Sequence, residues 1–457
     1  MQLHIVILAA GQGTRMKSAR PKVLHRAAGL PMIEHVLATA SELAPQTTTV
    51  VVGHRADALR DALARHSGLT FVVQEPQLGT GHAVMTAEPA LATATGTLVL
   101  LYADVPALPA ATVKKLVDHH VERAAAATVL TAIVDSPTGY GRIVRSGEQI
   151  ARIVEERDAS PAEREIHEIN SGIYAFAIDG LFATLRTLAP DNAQREYYLT
   201  DLVRIFRERG KRVETVIVSN PDDIRGVNSR SDLAAVSRVM RDRKAAELMA
   251  SGVTIEDPAT TYIDRDVTIG ADTIIRPGVS IEGQSTIGSG CEIHSGVRIV
   301  DSHLGDRVTV YNHSVVTEAR VGDDVKLGPF AHLRTAADVR RGARVGNFVE
   351  LKKTVLGEGS KANHLAYLGD ATIGEKVNIG AGTITCNYDG TKKNPTVIED
   401  GAFIGSDSQL IAPVTVGKGA YVGSGSTIRE DVPPGALAVS AGKQRNIDGW
   451  VDKKKKS

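Results

Sequence analysis

The fold of this chain is decided by the stretch TYIDRDVTIGADTIIRPGVSIEGQSTIGSGCEIHSGVRIV, residues 261–300, where an isoleucine returns at every sixth position. The step holds without a miss through Ile263, Ile269, Ile275, Ile281, Ile287, Ile293 and Ile299. A period of six is too short for a solenoid of helices and matches the hexapeptide β-helix signature. Each six-residue unit is expected to form one flat side. Three units then close a triangular coil, and coils stack at the ~4.8 Å spacing of paired strands.

The same pattern covers most of the chain after Gly252. Its phase slips after Ile299, and two runs of large residues resume it: Val321, Leu327, Leu333, Val339, Val345 and Leu351, then Ile398, Ile404, Leu410, Val416, Val422 and Ile428. Four residues after a large position the side chain is usually small: Thr273, Val279, Ser285, Cys291, Val297, Ala331, Ala343, Ser408, Ala420 and Ser426. Both classes are expected to point inward, so Cys291 is interpreted as structural.

The six-residue rhythm is interrupted at Lys361–Asp370 and again at Cys386–Pro395. Side chains in an interruption are free of the inward–outward alternation, so we expect functional residues there. His364 lies in the first interruption and is a candidate general base, because an ordinary histidine pKa of about 6.5 suits proton removal from an amine. A solvated, idle histidine is the alternative interpretation.

The first half of the chain instead alternates short apolar runs with helical patterns, which predicts a mostly parallel α/β sheet. The predicted strands are Leu3–Leu8, Thr49–Val52, Phe71–Val73 and Thr97–Leu101, and the predicted helices are Pro31–Leu43, Ala56–Arg65, Glu196–Arg209 and Ser229–Ala250. The last helix is interpreted as an arm between domains. We therefore predict an α/β domain over residues 1–228, a linker helix over 229–251, and a hexapeptide-repeat domain with a short basic tail over 252–457.

Charge and composition argue against several classes of protein. Lys plus Arg and Asp plus Glu both number 53, so a zero net charge gives no indication of a nucleic-acid partner. No run reaches the ~18 apolar residues of a membrane span, so no membrane insertion is expected. Cys291 and Cys386 fit neither a disulfide framework nor a zinc motif. We expect a cytoplasmic protein.

A glycine-rich loop follows the first predicted strand directly. Gly11 and Gly13 alone are weak evidence, but Thr14, Arg15 and Lys22 make the pattern specific. Small residues let backbone N–H groups approach phosphate oxygens closely, and two cations can neutralise a triphosphate and a departing pyrophosphate. The loop therefore predicts a phosphate site, against the alternative of a plain strand-to-helix turn.

A second polar group follows the predicted strand Thr97–Leu101. Asp104 falls at its carboxyl end, where ligands bind in open α/β sheets. A single carboxylate suits Mg²⁺, which keeps waters and takes phosphate oxygens for the rest of its coordination shell. A structural aspartate capping a loop is the alternative.

These motifs together resemble one family. The segment Leu8–Met16 with Pro21-Lys22, joined to the hexapeptide repeats, resembles the bacterial bifunctional N-acetylglucosamine-1-phosphate uridylyltransferase/glucosamine-1-phosphate N-acetyltransferase family (GlmU). The resemblance covers nearly the whole chain and fades only after about Ser440. The resemblance implies a Rossmann-like nucleotidyltransferase domain and a left-handed β-helix. It also implies a homotrimer, Mg²⁺, and the substrates UTP, N-acetylglucosamine-1-phosphate, glucosamine-1-phosphate and acetyl-CoA. The product, UDP-N-acetylglucosamine, would feed peptidoglycan and lipopolysaccharide synthesis.

The resemblance also implies the residues of the uridylyl site. Arg15 and Lys22 are the implied catalytic cations, and Asp104 and Asn228 the implied metal ligands. The implied nucleotide and sugar contacts are Leu8, Ala9, Ala10, Gly11, Lys22, Gln74, Gly79, Thr80, Tyr102, Ala103, Asp104, Gly141, Glu155, Asn170 and Asn228. The sugar phosphate is already an anion, so this site needs positioning and charge neutralisation rather than a base.

In the acetyl site the resemblance implies His364 as the base, with Glu350 a candidate to orient it. The implied sugar-phosphate contacts are Arg334, Lys352, Tyr367 and Asn378, and the implied acetyl-CoA contacts are Ala381, Asn387, Tyr388, Ser406, Ser424 and Ala441. Three residues depart from the family pattern. Ala103 and Asn363 stand where glycine is usual, and Ala441 stands where an arginine meets coenzyme A.

One rival hypothesis remains. The chain could be a sugar nucleotidyltransferase with a single activity, whose β-helix only regulates or trimerises it. A structural stalk would have no use for His364, Tyr367 and the Asn387-Tyr388 loop, so the sequence favours the bifunctional enzyme.

Overall fold

The structure is a computed structural model that describes residues 2–53, 55–440, 442 and 444–451. The chain divides into two compact units, Met1–Met240 and Arg241–Ser457. None of the described helices is long and apolar enough to cross a membrane.

The N-terminal unit is built on a mixed, mostly parallel sheet. Its strands are β1 Leu3–Leu8, β2 Arg26–Ala27, β3 Leu30–Pro31, β4 Thr47–Val52, β5 Leu69–Val73, β6 Thr97–Tyr102, β7 Ala127–Ile133, β8 Arg142–Ser146, β9 Gln149–Val154, β10 Glu168–Ala177 and β11 Val213–Ile217. The order of the nine-stranded sheet is β11-β7-β10-β6-β1-β4-β5, with β8 pairing β10 and β9, and β2 and β3 form a separate antiparallel pair. Strand β10 runs antiparallel to β6 and β7, while β1 is parallel to β4 and β6.

Helices connect these strands. The α-helices are α1 Met32–Glu42, α2 Ala56–Ala62, α3 Thr80–Met85, α4 Ala110–Glu122, α5 Pro161–Arg164, α6 Leu181–Leu185, α7 Asp201–Glu208 and α8 Arg230–Ala250, and the 3₁₀ turns are Thr14–Met16, Lys22–Leu24, Glu88–Leu91 and Pro221–Ile224. Alternate residues of β1 face opposite layers: Ile5 and Ile7 belong to one buried cluster, Val6 and Leu8 to the other. This two-layer core explains why the buried strands are apolar on both faces.

Helix α7 begins later than predicted. It spans Asp201–Glu208 rather than Glu196–Arg209, because the residues before it are held by other contacts. The main chain of Tyr197 pairs with Leu78 and Gly81 at 2.8 Å each, which keeps this segment out of the helix. The predicted stop is confirmed, since Gly210 takes a left-handed φ of 66° after the last turn.

The C-terminal unit is a parallel β-helix with three faces. Face 1 contains Thr254–Ile255, Ile274–Ile275, Glu292–Ile293, Thr309–Val310, Lys326–Leu327, Arg344–Asn347, Lys361–His364, Asn378–Ile379, Phe403–Ile404, Tyr421–Val422 and Leu437–Ala438. Face 2 contains Tyr262–Ile263, Ser280–Glu282, Arg298–Val300, Val315–Thr317, His332–Arg334, Glu350–Lys352, Tyr367–Gly369, Ile384–Cys386, Gln409–Ile411 and Thr427–Ile428. Face 3 contains Thr268–Ile269, Thr286–Ile287, His303–Leu304, Arg320–Val321, Asp338–Val339, Val355–Leu356, Ala371–Ile373, Thr396–Ile398 and Val414–Val416.

The predicted inward positions are confirmed. Every large and every small repeat residue named above is buried, including Cys291, which has no exposed surface. The phase slip has a simple cause: only 17 residues separate Thr286 from His303, its register partner on the next coil, because one side is a residue short. The β-helix is therefore continuous across the slip.

The predicted interruption at Lys361–Asp370 is wrong. Strands Lys361–His364 and Tyr367–Gly369 continue faces 1 and 2 in register with their neighbours. The rhythm looks broken because Ala362, fully buried, fills an inward position where a large residue was expected. The second interruption is confirmed: the chain leaves the coil after Cys386 and returns at Thr396, with Tyr388 bridged to Lys393.

Helix α8 is more than an exposed arm. In the N-terminal unit, fully buried Val236 packs in a small cluster with Ala27, Met32, Ala107 and Val227. Near the end of the helix, Ala245 and Leu248 belong to the core of the C-terminal unit. Both stretches of the helix are therefore core elements of their own units.

Candidate active sites

A cavity of about 460 Å³ opens at the carboxyl ends of the parallel strands β1, β5 and β6. Ten of the residues predicted for the uridylyl site line it: Leu8, Ala9, Ala10, Gly11, Lys22, Gln74, Gly79, Thr80, Tyr102 and Asp104. Residues far apart in sequence meet here because the strands that precede them end at the same edge of the sheet.

Two glycines shape the phosphate loop and the cavity: Gly79 in the wall of this cavity and Gly13 in the wall of a neighbouring one. Gly13 has a φ of 63°, and a Cβ there would lie 2.6 Å from Cβ of Lys22. Gly79 has a φ of 104°, and a Cβ there would lie 2.8 Å from Cβ of Glu196. The side-chain amide of Gln74 donates to the Gly79 carbonyl at 2.9 Å, which fixes the loop before α3. Any side chain at either glycine would push the neighbouring segment away.

Lys22, Asp104 and Asn228 meet at one point of the cavity edge. The Lys22 ammonium donates to Oδ2 of Asp104 and, at 3.3 Å, to Oδ1 of Asn228. The N–H of Val227 donates to the Asp104 carbonyl at 2.9 Å, which brings the two oxygen-bearing residues together. The Asp232 carboxylate accepts a hydrogen bond from the backbone N–H of Asn228 at 3.1 Å. This bond fixes the backbone of Asn228 at the start of α8.

The three predicted sugar contacts also adjoin one another. The Asn170 N–H donates to the Gly141 carbonyl at 2.9 Å, and a Cβ on Gly141 would lie 3.6 Å from Oε2 of Glu155. Burial raises the pKa of Glu155, the hydroxyl of Thr200 lowers it, and the nearby acids raise it further. Burial, followed by the charges of Glu155 and Asp104, also raises the pKa of Tyr102.

Six of the predicted residues are not part of this cavity wall: Gly141, Glu155, Asn170 and Asn228, whose contacts are given above, and Arg15 and Ala103. Arg15 is exposed on the 3₁₀ turn Thr14–Met16 and makes no side-chain hydrogen bond or ion pair within the described chain. Ala103 has no exposed surface, and its methyl group packs with Leu101 and Val105 in the core. The departure from glycine at Ala103 therefore adds bulk to the core and none to the cavity.

On the β-helix, His364 lies at the end of a face 1 strand with its ring exposed. Its Nδ1 lies 2.9 Å from Oδ1 of Asn347, its register partner on the preceding coil. An amide oxygen only accepts hydrogen bonds, so Nδ1 carries a proton, and the neutral ring has its lone pair on Nε2. Glu350, the predicted orienting residue, instead pairs with Arg334, Nε to Oε1 at 2.7 Å.

The predicted acetyl-CoA residues continue the corner that carries His364. The N–H of Gly382 donates to the Leu365 carbonyl at 3.0 Å, so the turn after Ala381 lies on the turn after His364. The Ala381 and Ser406 carbonyls accept from Asp407 and Gly425 at 2.7 and 2.8 Å on the following coils. Ala381, Ser406 and Ser424 therefore stand in one column above His364, and Asn378 precedes Ala381 on the same coil.

Three of the four predicted sugar-phosphate contacts, Arg334, Lys352 and Tyr367, lie on face 2, and Asn378 lies on face 1. Lys352 is nearly buried, with its side chain 9% exposed, and its Nζ lies 3.2 Å from Oδ2 of Asp370. Asn387 donates to the same Asp370 oxygen and, at 3.4 Å, to the Tyr367 hydroxyl. A hydrogen bond with the Lys393 amine, reinforced by Asp370, raises the pKa of Lys352, while Lys352 lowers the pKa of Lys393.

Three side chains of this site were missed by sequence reasoning: Asn347, Asp370 and Lys393. Asn347 lies a full coil away from His364, so the contact follows from the coil length and not from local sequence. Asp370 and Lys393 lie in the two segments that were singled out, but nothing in their spacing marks them as partners of Lys352. Tyr388 is exposed and donates to the Gly390 carbonyl at 2.7 Å. Ala441 lies outside the described residues.

Comparisons with known proteins match separate parts of the chain to three family models and nearly the whole chain to curated relatives. Residues 5–169 match the MobA-like NTP transferase domain, residues 262–340 the GMPPB C-terminal domain, and residues 395–430 the bacterial transferase hexapeptide (six repeats). The protein is 50% identical to the bifunctional protein GlmU of Trichlorobacter lovleyi over 98% of each chain. It is 49% identical to those of Geotalea uraniireducens, over 99% of each chain, and Shouchella clausii, over 98% of each. With an NTP transferase domain, hexapeptide repeats and relatives matched along their full length, this chain belongs to the bifunctional GlmU family.

Proposed function

We propose that this GlmU-family enzyme makes UDP-N-acetylglucosamine in two steps on its two units. The C-terminal unit transfers the acetyl group of acetyl-CoA to the amine of glucosamine-1-phosphate. The N-terminal unit transfers UMP from UTP to the resulting N-acetylglucosamine-1-phosphate and releases pyrophosphate. Because UTP and acetyl-CoA are both cytoplasmic metabolites, we place both reactions in the cytoplasm.

In the N-terminal unit the nucleotide binds in the cavity beside the loop of Gly11 and Gly13. The sugar phosphate binds against Gly141, Glu155 and Asn170, and its phosphate oxygen attacks the α-phosphorus of UTP as pyrophosphate leaves. The attacking oxygen is already anionic, so the protein positions two repelling anions and neutralises their charge. Lys22 lines the cavity and supplies one of the cations.

The residues at this site fit a divalent cation. Oxygens of Asp104 and Asn228 already converge on one cation, the Lys22 ammonium. The described residues contain no group of three or more His, Cys, Asp and Glu that could hold a metal, so phosphate and water oxygens must complete the shell, as Mg²⁺ prefers. Asp104 and Asn228 would hold Mg²⁺, which when bound neutralises charge on the nucleotide phosphates.

In the C-terminal unit the substrate amine attacks the thioester carbon of acetyl-CoA. Nε2 of His364 accepts the proton that the amine gives up, and coenzyme A leaves as the free thiol. Asn347 holds the ring in the tautomer that leaves Nε2 free. Arg334 and Lys352 supply the positive charge for the sugar phosphate, and Tyr367 and Asn387 supply polar contacts.

One observation favours this proposal over a regulatory or trimerising β-helix. The His364 ring lies at the start of the column of Ala381, Ser406 and Ser424, and face 2 of the neighbouring coils carries the nearly buried Lys352. A structural stalk gains nothing from burying Lys352 with a second lysine nearby.

We also propose that the enzyme is a homotrimer. At the corner beside His364, the positive-φ positions of successive coils carry Phe330, Phe348 and Leu365, which are 47%, 56% and 61% exposed. The two phenylalanine rings stack at 5.4 Å. An exposed apolar column of this kind is typical of a surface covered by another chain.

The proposal is tested by supplying glucosamine-1-phosphate, acetyl-CoA, UTP and Mg²⁺ to the purified protein. Free thiol and pyrophosphate should both appear, and omission of acetyl-CoA should abolish both. Pyrophosphate release that needs added N-acetylglucosamine-1-phosphate, with no thiol released under any condition, would favour the single-activity enzyme.

A further inference from the structure

We propose that Lys22 locks the metal site of the nucleotide-free enzyme. Its ammonium occupies the position between Asp104 and Asn228 that a divalent cation requires, so the lysine has to move before the cation enters. This inference rests on the proposed nucleotidyl transfer and on its metal ligands, and it concerns the order in which charges arrive at that site.

The geometry makes the two cations mutually exclusive. The Lys22 ammonium contacts Oδ2 of Asp104 and lies 3.3 Å from Oδ1 of Asn228. Mg²⁺ would bind those same oxygens at about 2.0–2.1 Å, in direct contact with the ammonium. The Lys22 and Asp104 side chains are only 10% and 18% exposed, so solvent would do little to screen the repulsion. The ammonium and Mg²⁺ therefore cannot both lie between Oδ2 of Asp104 and Oδ1 of Asn228.

The lysine has an alternative position when it leaves. Lys22 lines the cavity of about 460 Å³ and also a neighbouring one of about 230 Å³, which is walled by Gly11, Gly13 and Thr14. A nucleotide whose phosphates lie against that loop would offer the ammonium a new anionic partner. The nucleotide therefore releases Asp104 for the metal, and by linkage the two ligands favour each other's binding.

The lock is tested by Mn²⁺ titration of the full-length protein without nucleotide, with free Mn²⁺ measured by electron paramagnetic resonance. Lys22→Met should bind Mn²⁺ about tenfold or more tightly than wild type, because the competing cation is gone. Lys22→Arg retains the positive charge and should remain weak. Lys115→Met, an exposed lysine of α4 with the same change in charge, should match wild type.

A substitution of Asp104 tests whether the metal binds to this carboxylate. Adding Asp104→Asn to Lys22→Met should remove the gain in affinity. If Lys22→Met binds Mn²⁺ no more tightly than wild type while Asp104→Asn still weakens binding, the lock is overturned and the metal ligand stands. If Asp104→Asn changes Mn²⁺ affinity in neither background, the metal assignment itself fails, and the lock with it.

Discussion

At the residue scale, acetyl transfer should depend on Nε2 of His364. We predict that His364→Ala lowers acetyl transfer by at least the ~10²-fold expected for loss of a general base, with uridylyl transfer unchanged. The measurement is thiol release at saturating substrates, with pyrophosphate release from the same preparation. His303→Ala, which removes an exposed β-helix histidine bonded to Thr286, is the control and should leave both rates intact. Acetyl transfer within about threefold of wild type would exclude His364 as the base.

Asn347 should affect the rate without affecting binding. Its Oδ1 accepts a hydrogen bond from the His364 ring, the one that this ring makes within the described part of the chain, and so selects the productive tautomer. Asn347→Leu should lower the kcat of acetyl transfer about tenfold, near the worth of one hydrogen bond, with little change in KM. Asn347→Asp retains an acceptor at the same position and should recover most of the rate. A rise in KM at constant kcat would mean that Asn347 contacts substrate instead.

Asp104 is proposed to act in uridylyl transfer, in the N-terminal unit. We predict that Asp104→Asn nearly abolishes pyrophosphate release from UTP and leaves acetyl transfer intact. The substitution removes the carboxylate on which both Lys22 and the proposed metal depend, and the acetyl site lies in the other compact unit. Wild-type pyrophosphate release with Mg²⁺ present would contradict the metal assignment.

Some site residues could be predicted from the sequence and others could not, and the difference depends on how far apart in the chain the contacting residues lie. Gly13 and Lys22 are near neighbours on one loop, so their pattern is visible in the chain. Asn347 and His364 meet because they lie on successive coils of the β-helix. Their pairing depends on the coil length, which is one residue short of eighteen at several coils. The Glu350 hypothesis is wrong because Arg334, opposite in charge and one coil below, takes that carboxylate.

At the element scale, periodicity predicts the β-helix better than it predicts where the β-helix is interrupted. Strand Lys361–His364 keeps its register although Ala362 replaces a large residue, because the backbone ladder depends on neighbouring coils rather than on one side chain. Helix α7 starts late because tertiary hydrogen bonds of Tyr197 outweigh the local helical pattern.

Helix α8 decides where the chain can be divided. A fragment ending at Ser251 should remain folded, transfer UMP and lack acetyl transfer, because it keeps Val236 in its cluster with Met32 and Val227. A fragment ending at Asn228 loses that valine, whose burial is worth about 1.5–3 kcal/mol, and should unfold at a lower temperature. Thermal unfolding and pyrophosphate release of both fragments are the measurements. An inactive, aggregated 1–251 fragment would contradict the proposed boundaries of 1–228, 229–251 and 252–457.

At the scale of the whole molecule, the two chemistries depend on unlike scaffolds. The α/β unit gathers its polar groups at one edge of a sheet, whereas the β-helix aligns them along a corner, one residue from each coil. The cavity proposed for the nucleotide is enclosed by residues of the α/β unit itself. On the β-helix, His364 and the apolar column beside it are open to solvent, so a second chain is the natural wall of that site.

A substitution of Phe348 therefore tests the proposed homotrimer. It is the middle member of the exposed column of Phe330, Phe348 and Leu365, and burying such rings drives association by about 1.5–3 kcal/mol each. Phe348→Glu would place a charge in the apolar contact and should convert trimers to monomers in sedimentation velocity. The folded chain should be unaffected, because the side chain is 56% exposed. Val121→Glu, at an exposed apolar position of α4, should still sediment as wild type. A Phe348→Glu protein that remains trimeric would place the interface elsewhere on the β-helix.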